Sequence, residues 1–429
     1  MQEVNKILVI SEVFYPEIGS GSNRITNLVI FLKAQGNKVD VITSEPSYPD
    51  KSLYESDEYR NTVKEEKLYN GSKIKRIKGS KLKPTANFFK RMYIYNYFLL
   101  KCIFTVLFNK SKYDVVITTM PSIFMGLLGI IAKWRFGAKY IVDIRDLWPE
   151  CIKNVGIFRK NKFALKIGYK LEKLILKFTN AVVVNSEAYK QYLEGINYKK
   201  PIRFIPNGLI KKEFEELEYL YEETEKNKEF TVIYTGLIGL AQNVKTIVKV
   251  ANHLRNAKNI KFKIIGTGIQ TPKVKGLIEH YKLTNIEVIP PMPKEKIIDE
   301  ISKCHVAIAH LRKDSAFDLA IPGKLIDYMA IGIPIVAGIE GYTASVLVKS
   351  RAGIAIEPDD CKGLAKAILH MYADPYLRKS YSRCGQEYSR EKFLFDKNFV
   401  DYKILIDELL GRDYNVEKDM HVCVESLHK

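Results

Sequence analysis

Cysteine organises nothing in this 429-residue chain. Its six cysteines (Cys102, Cys151, Cys304, Cys361, Cys384 and Cys423) are scattered, with no CxxC pair and no His/Cys cluster. A disulfide framework and a zinc site are thereby disfavoured, and buried or inert thiols are the reading that remains. Low-complexity tracts are missing as well. So is an uninterrupted apolar run of the roughly 20 residues that a membrane-crossing helix needs: the aromatic-rich stretch 92–108 is marginal in length and is interrupted by Lys101. The amino terminus has no signal-peptide core. Gln2 to Lys6 leads straight into Ile7-Leu8-Val9-Ile10, a short strand-like run, so the chain is expected to stay in the cytosol. Acid is scarce relative to base, 49 Asp and Glu against 68 Lys and Arg, a formal charge of +19. An excess of that size points to a polyanionic partner: nucleic acid, an anionic membrane surface or a phosphorylated substrate. Nucleic acid fits poorly, because no helix-turn-helix, RNP, zinc-finger or arginine-rich signature appears.

What is present is an ordinary globular composition, 46% apolar and 27% charged, in a chain too long for one core. Strand-length apolar runs fall at 6–11, 39–43, 74–77, 114–118, 139–144, 181–185 and 202–205, alternating with helical patterns. The scheme repeats at 230–235, 260–265, 286–289, 306–309, 335–337 and 352–356. Alternation of this kind means parallel sheets covered by helices on both faces. The fold class is α/β, two doubly wound Rossmann-like domains facing a cleft. The first is expected to span 1–206 and the second 207–385, followed by a helical pattern over 386–411. Asn207-Gly208 and the charged stretch 211–229 have the chemistry of a linker. Residues 412–429 show no convincing period and read as a mobile tail.

Ligands of doubly wound folds bind beyond the carboxyl ends of strands, where loops begin helices, and every notable motif lies at such a place. After the first run comes FYPEIGSGSNR, whose Gly19, Ser20 and Gly21 could turn amides toward a phosphate, with Arg24 just behind. It is not a GxGxxG, and no acid follows at the spacing a dinucleotide ribose requires. After 139–144 comes Arg145-Asp146 in DIRDLWPE; such charges suit a cleft, or else a salt-bridged loop plugged by Trp148. In the second half Gly236, then Gly266-Thr267-Gly268, then Pro290-Pro291 each follow a strand. Most informative is IPGKLIDYMAIGIP. Pro322 and Gly323 suit a helix start with free amides, Lys324 adds a positive charge, and Asp327 lies on nearly the same face. That combination suits a diphosphate next to a ribose. Asp359-Asp360 read as a helix cap, not as metal ligands, and no Asp-x-Asp motif is found.

The order of Gly236, Gly266-Thr267-Gly268, the proline turn at 290, Pro322-Gly323-Lys324 with Asp327, and Gly332-Ile333-Pro334 resembles a GT-B glycosyltransferase. FYPEIGSGSNR and DIRDLWPE narrow the resemblance to retaining bacterial transferases of O-antigen and capsule synthesis, including those handling N-acetylfucosamine. It extends to about residue 410. The resemblance implies that the second domain binds a UDP-sugar, used as substrate with no further cofactor and no metal, while the first presents the acceptor and the segment 386–411 crosses back to it. It implies that Gly266, Gly268 and Pro291 border the base and diphosphate, that Gly323 and Lys324 hold the phosphates and that Asp327 holds the ribose. Arg145 and Asp146 would orient the acceptor or touch the sugar, and retention would follow from front-side attack. The implied acceptor is a saccharide linked to a polyprenyl diphosphate at the inner face of the cell membrane.

The chain departs from that pattern in two ways. Where many relatives carry an arginine and a lysine after the first strand of the second domain, this sequence has Leu237, Leu240 and Gln242, so Arg312, Lys313 or Arg24 would have to replace them. Asp327 also stands where a glutamate is common. The basic residues between 60 and 112, beside the aromatic 92–108, suit an anionic membrane interface, although 92–108 reads equally well as a core helix. A non-catalytic membrane-associated scaffold of the same fold is the alternative, and a UDP-sugar epimerase a third reading.

Overall fold

In the computed structural model, residues 4–47, 54–55, 72–78, 88–120, 122–150, 162–217, 229–292, 294–313 and 319–412 are described, with the backbone alone for 88–96 and 294–295. They form two compact units, Met1–Pro206 together with the chain from Phe395, and Asn207–Leu394.

The first unit is a seven-stranded sheet of β1 (Lys6–Ile10), β2 (Lys38–Ser44), β3 (Ile74–Ile77), β4 (Val115–Met120), β5 (Lys139–Ile144), β6 (Ala181–Val184) and β7 (Ile202–Phe204). Their order is β3-β2-β1-β4-β5-β6-β7, and every pair is parallel. The central strands are buried along their length because helices cover both faces, which explains why they read as unbroken apolar runs rather than alternating ones. The strand order reverses at β1 and β4, with Ile7 paired to both Val39 and Val115. Ligand sites of doubly wound sheets open at such a switch point.

The second unit repeats the plan with β8 (Phe230–Thr235), β9 (Ile260–Ile265), β10 (Ile286–Ile289), β11 (Val306–His310), β12 (Ile335–Gly338) and β13 (Gly353–Ile356), ordered β10-β9-β8-β11-β12-β13. Two apolar clusters flank this sheet. One includes Leu325, Ile326 and Met329 of the helix Gly323–Ile331, and the other Leu364 and Ile368 of the helix Cys361–Ala373. Asp360 caps the latter, accepting from the Gly363 amide at 2.9 Å.

The second boundary differs from the expected 385. The helix Pro375–Lys392 runs through that position unbroken, with Gly385 packed on Ala352 and Met329, so the crossing falls after Leu394. Residues 211–217, expected as linker, form a helix, whereas 218–228 and the tail from 413 lie outside the described residues. The helix Val400–Leu410 belongs to the first unit. There Tyr402 donates to Asp143, and Arg203 bonds both carboxylate oxygens of Glu408 at 2.7 and 2.8 Å.

The aromatic stretch 92–108 lies in the helix Phe88–Leu107. Phe98, Cys102 and Val106, spaced by four, face the core, while Leu100, Phe104, Leu107 and Phe108 are exposed. It is thus a core helix along one side and an apolar surface along the other. Most of the basic residues between 60 and 87 lie outside the described residues. Among the described residues no helix is long and apolar enough to cross a membrane.

Candidate functional site

In the second unit the loops after β8, β9 and β11 meet the start of the helix Gly323–Ile331. Pro322 is the extended N-cap, its side chain bonds no amide and no acid occupies the first turn, so the helix start keeps its attraction for an anion. One turn along, Tyr328 accepts from the Thr235 amide at 2.8 Å and ties the end of β8 to this helix. Lys324 is thereby laid across the same strand end. Its ammonium stands 3.8 Å from the ring centroid of Tyr234, and a Cβ on Gly236 would come within 3.2 Å of it. Lys324 Nζ is buried and has no hydrogen-bond partner among the described residues. Burial pulls its pKa down to about 7, with Asp327 pulling the other way. An ammonium in that condition is stabilised by an incoming anion.

Gly266 and Gly268 stand beside this site, and the fold itself requires both glycines. A Cβ at Gly266, whose φ is +154°, would lie 1.9 Å from the Gly236 carbonyl oxygen, and one at Gly268 would lie 2.5 Å from that of Ile238. The glycines are required by two loops packed backbone to backbone, joined through Ile238 N–H to Thr267 O at 2.9 Å, before any ligand is considered. Pro291 follows β10, whose Ile289 carbonyl accepts from the Gly266 amide at 3.0 Å. The loop carrying Gln242 is held from β11: the Arg312 amide donates to Ala241 O at 2.8 Å, and His310 Nδ1 lies 3.3 Å from Gln242 O. Nε2 of His310 accepts from the Asp359 amide at 3.0 Å, which leaves the proton of the neutral ring on Nδ1 for Gln242. Burial lowers the His310 pKa, so the neutral ring is favoured, though Asp359 opposes this. The Arg312 side chain is exposed at the edge of that loop, whereas Lys313 faces Glu340 at 3.9 Å.

In the first unit the two cations singled out in the sequence, Arg24 and Arg145, have opposite surroundings. Arg24 is wholly buried. Its Nε donates to Asp143 at 2.9 Å and its Nη1 to the carbonyls of Ile205 and Pro206 at 2.8 and 3.1 Å. Burial alone would lower its pKa, but Asp143 and Tyr402 outweigh this and raise it. Arg24 is a strut between β5, the end of β7 and the helix Val400–Leu410, not a phosphate ligand. Arg145 is placed differently. Its guanidinium lies against the first turn of the helix Ser20–Ala34, so closely that a Cβ on Gly21 would sit 2.0 Å from Nη1. Gly19 is the N-cap of that helix; Gly19 and Ser20 are exposed, no side chain caps the start and no acid lies in its first turn. Arg145 Nε is buried and unbonded among the described residues. Burial depresses its pKa, offset by Asp146, Asp143 and Glu12. A cation and the positive end of a helix dipole repel one another, and a bound anion resolves both.

Glu12, which sequence reasoning missed, completes this group. It follows β1 and accepts from Ser122 Oγ at 2.6 Å; Ser122 stands at the N-cap of the helix Ile123–Phe136 yet bonds Glu12 rather than the helix amides. Burial raises the Glu12 carboxyl pKa against the Ser122 bond and the Arg145 charge. Asp146 keeps solvent access, but the protein massed around it raises its pKa, with Arg145 opposing. The one sequence signal for Glu12 is its place directly after a buried run at the switch point.

Against known proteins, residues 21–210 match the family described as Glycosyltransferase Family 4, and 218–388 match Glycosyl transferases group 1. The putative colanic acid biosynthesis glycosyl transferase WcaI of Escherichia coli is 23% identical over 85% of this chain and 91% of its own length. Among solved structures, a sucrose-phosphate synthase from Thermosynechococcus elongatus superposes with a TM-score of 0.73 at 18% identity, covering 95% of this chain and 99% of the other. HepE of Anabaena in complex with UDP-glucose gives 0.65 at 14%, with the same coverage.

Proposed function

Because this chain belongs to the group 1 glycosyltransferases of GT-B fold, we propose that it transfers a sugar from a UDP-sugar to a polyprenyl-diphosphate-linked saccharide during capsule or O-antigen synthesis, with retention of anomeric configuration. The sugar in this reading is an N-acetylhexosamine or a deoxy-aminosugar, and the acceptor is met at the inner face of the cell membrane. The observation that carries the reading is Lys324, a buried ammonium without a partner among the described residues, at an uncapped helix start beside Gly236. The structure of HepE with UDP-glucose and the colanic acid role in the name of WcaI support the donor and the pathway class.

As UDP departs, negative charge grows on its diphosphate. Donors already in place stabilise that charge without reorganising, and losing one such donor typically costs about 10²–10³ in rate. Lys324, the Gly323 helix start and Arg312 supply them on the donor side, and Asp327 takes the ribose. The acceptor hydroxyl passes its proton to the departing phosphate, while Arg145, Asp146 and Glu12 orient the acceptor. No metal is called for, so activity should survive EDTA. UDP should stabilise the wild type against heat, by about 2.7 kcal/mol at a hundred times its Kd, and should leave Lys324→Met unmoved. Equal stabilisation by NAD, or of the variant, would overturn the reading.

A further inference from the structure

The helix Lys162–Phe178 is an awkward object in plain water. Lys162, Lys166 and Lys170 repeat every four residues, Lys173 and Lys177 continue the series, and Lys162, Lys166, Lys170 and Lys173 make no ion pair among the described residues. Like charges at that spacing repel. Its one acid, Glu172, cannot relieve them: it is buried, accepts from Tyr192 at 3.1 Å, and burial lifts its pKa to about 7. Alongside the lysines Phe163, Ile167 and Leu174 are exposed, Phe163 to 73%.

The next two helices continue this surface. Ile123–Phe136 packs against both Lys162–Phe178 and Phe88–Leu107, and neither Ile123–Phe136 nor Phe88–Leu107 contains an acid. Their ends are laced by base. Lys133 donates to Phe178 O at 2.8 Å, and Arg135 to Leu107 O at 2.8 Å and to Asn109 O at 2.7 Å, so the central helix is tied at its end to both neighbours. Trp134 and Phe104 stand exposed on it. The helix Glu187–Gly195 of the same unit shows a more ordinary mix, with Glu187 paired to Lys190 at 3.8 Å and Glu194 nearby.

We propose that the helices Phe88–Leu107, Ile123–Phe136 and Lys162–Phe178 form a docking face for a lipid bilayer rich in anionic head groups. Lysines that lack counterions find them in the head groups, while the phenyl, indole and aliphatic side chains between them enter the acyl boundary, a pairing that a nucleic-acid backbone cannot satisfy. The face binds peripherally, since no described helix spans a membrane. The helix Lys162–Phe178 is tied to the loop that carries Arg145 and Asp146, since Tyr169 donates to Glu150 and Gly168 lies against Pro149. The inference rests on the proposed function for its lipid-linked acceptor, but not for its test.

Co-sedimentation of the full chain with phosphatidylcholine vesicles, with and without 30% phosphatidylglycerol by way of probe, over a salt series, tests it. Binding should require the anionic lipid and weaken with salt. Lys166→Glu with Lys170→Glu should lower it by at least about tenfold, given the strength of each basic residue near such a surface, and Phe163→Ser should lower it several-fold at unchanged melting temperature. In a Trp148→Phe background, Trp134 emission should be quenched by brominated lipid. Binding indifferent to phosphatidylglycerol, or unchanged in both the charge-reversal and Phe163→Ser variants, overturns the proposal, as does tight binding of an RNA oligomer with none to vesicles. UDP binding should persist in all these variants. Vesicle binding without UDP binding would sink the donor reading and leave the docking face standing.

Discussion

Arg24 and Lys324 invite the same reading from sequence, a cation just past a glycine at the start of a helix, and the two units treat them in opposite ways. Arg24 is neutralised by Asp143 at its Nε and held by two carbonyls at its Nη1, all within the core, with only its Nη2 left without a hydrogen bond among the described residues. Lys324 is left with an aromatic face, the opposing charge of Asp327 on the same helix, and no hydrogen bond among the described residues. The difference separates structure from function better than position does. A buried charge with its partners supplied belongs to the fold, whereas one kept without them is an expense that a ligand removes. Arg145 falls on the Lys324 side, since its guanidinium is packed against a helix start and its buried Nε is bonded to nothing among the described residues.

The most severe way to break the comparison is Arg24→Met. It would leave Asp143 buried and uncompensated, for which a loss of about 3–5 kcal/mol of stability is expected. Denaturant unfolding would show it. A variant that unfolds like the wild type but loses UDP-dependent activity would place Arg24 among the ligands after all. The converse is Lys324→Met. Turnover with a UDP-sugar should fall roughly tenfold to a thousandfold, while the ligand-free protein melts at the same temperature or higher. A variant with normal kinetics and reduced stability would assign Lys324 to the core.

How much of this could be read beforehand depends on the distance over which each feature is decided. Every strand was legible, because a strand buried on both faces writes its apolar run locally, as in Val115–Met120 or Ile335–Gly338. Pro322-Gly323-Lys324 was legible for the same reason: cap, amides and cation sit within one turn. Arg24 was not, since its counterion lies 119 residues on and that counterion's second partner, Tyr402, 259 residues beyond Asp143. Nothing near Arg24 in sequence announces them. The glycines 266 and 268 were legible as glycines after a strand, but not the loop thirty residues earlier that packs backbone to backbone on them. Glu12 went unnoticed because a single glutamate after a strand carries no spacing signal, and the hydroxyl it binds is 110 residues away.

Titration offers a finer probe of the same contrast. With a pKa near 7 in the free protein, Lys324 is largely neutral at pH 8, and a bound diphosphate should restore its proton. Calorimetry of UDP-sugar binding at pH 8 in buffers of different ionisation enthalpy should then report uptake approaching one proton, absent in Lys324→Met. Affinity should fall by at most about tenfold per pH unit above 7, the limit set by one proton. A UDP-sugar is the better ligand because its diphosphate ester does not titrate there. Without ligand the sign reverses. The unfolded chain holds the Lys324 proton up to about pH 10.5, so it binds more protons than the folded state between about 7 and 10.5, and stability contributed at this residue rises with pH across that window.

The smallest effect isolates Asp327. Its charge raises the Lys324 pKa against burial, so Asp327→Asn should shift the binding profile to lower pH. The shift should be a fraction of a pH unit, because Lys324 Nζ has no hydrogen bond among the described residues and the carboxylate acts on it as a charge through space. Two roles can then be told apart. If Asp327 also holds the ribose, the variant should weaken UDP-sugar at every pH, including pH 6, where Lys324 is charged with or without its neighbour. If its influence is electrostatic alone, the two proteins should bind equally at pH 6 and diverge only as the pH passes 7. Equal binding throughout would mean that the carboxylate neither touches the ligand nor tunes the lysine, and Lys324 would then stand alone as the residue on which the donor site turns.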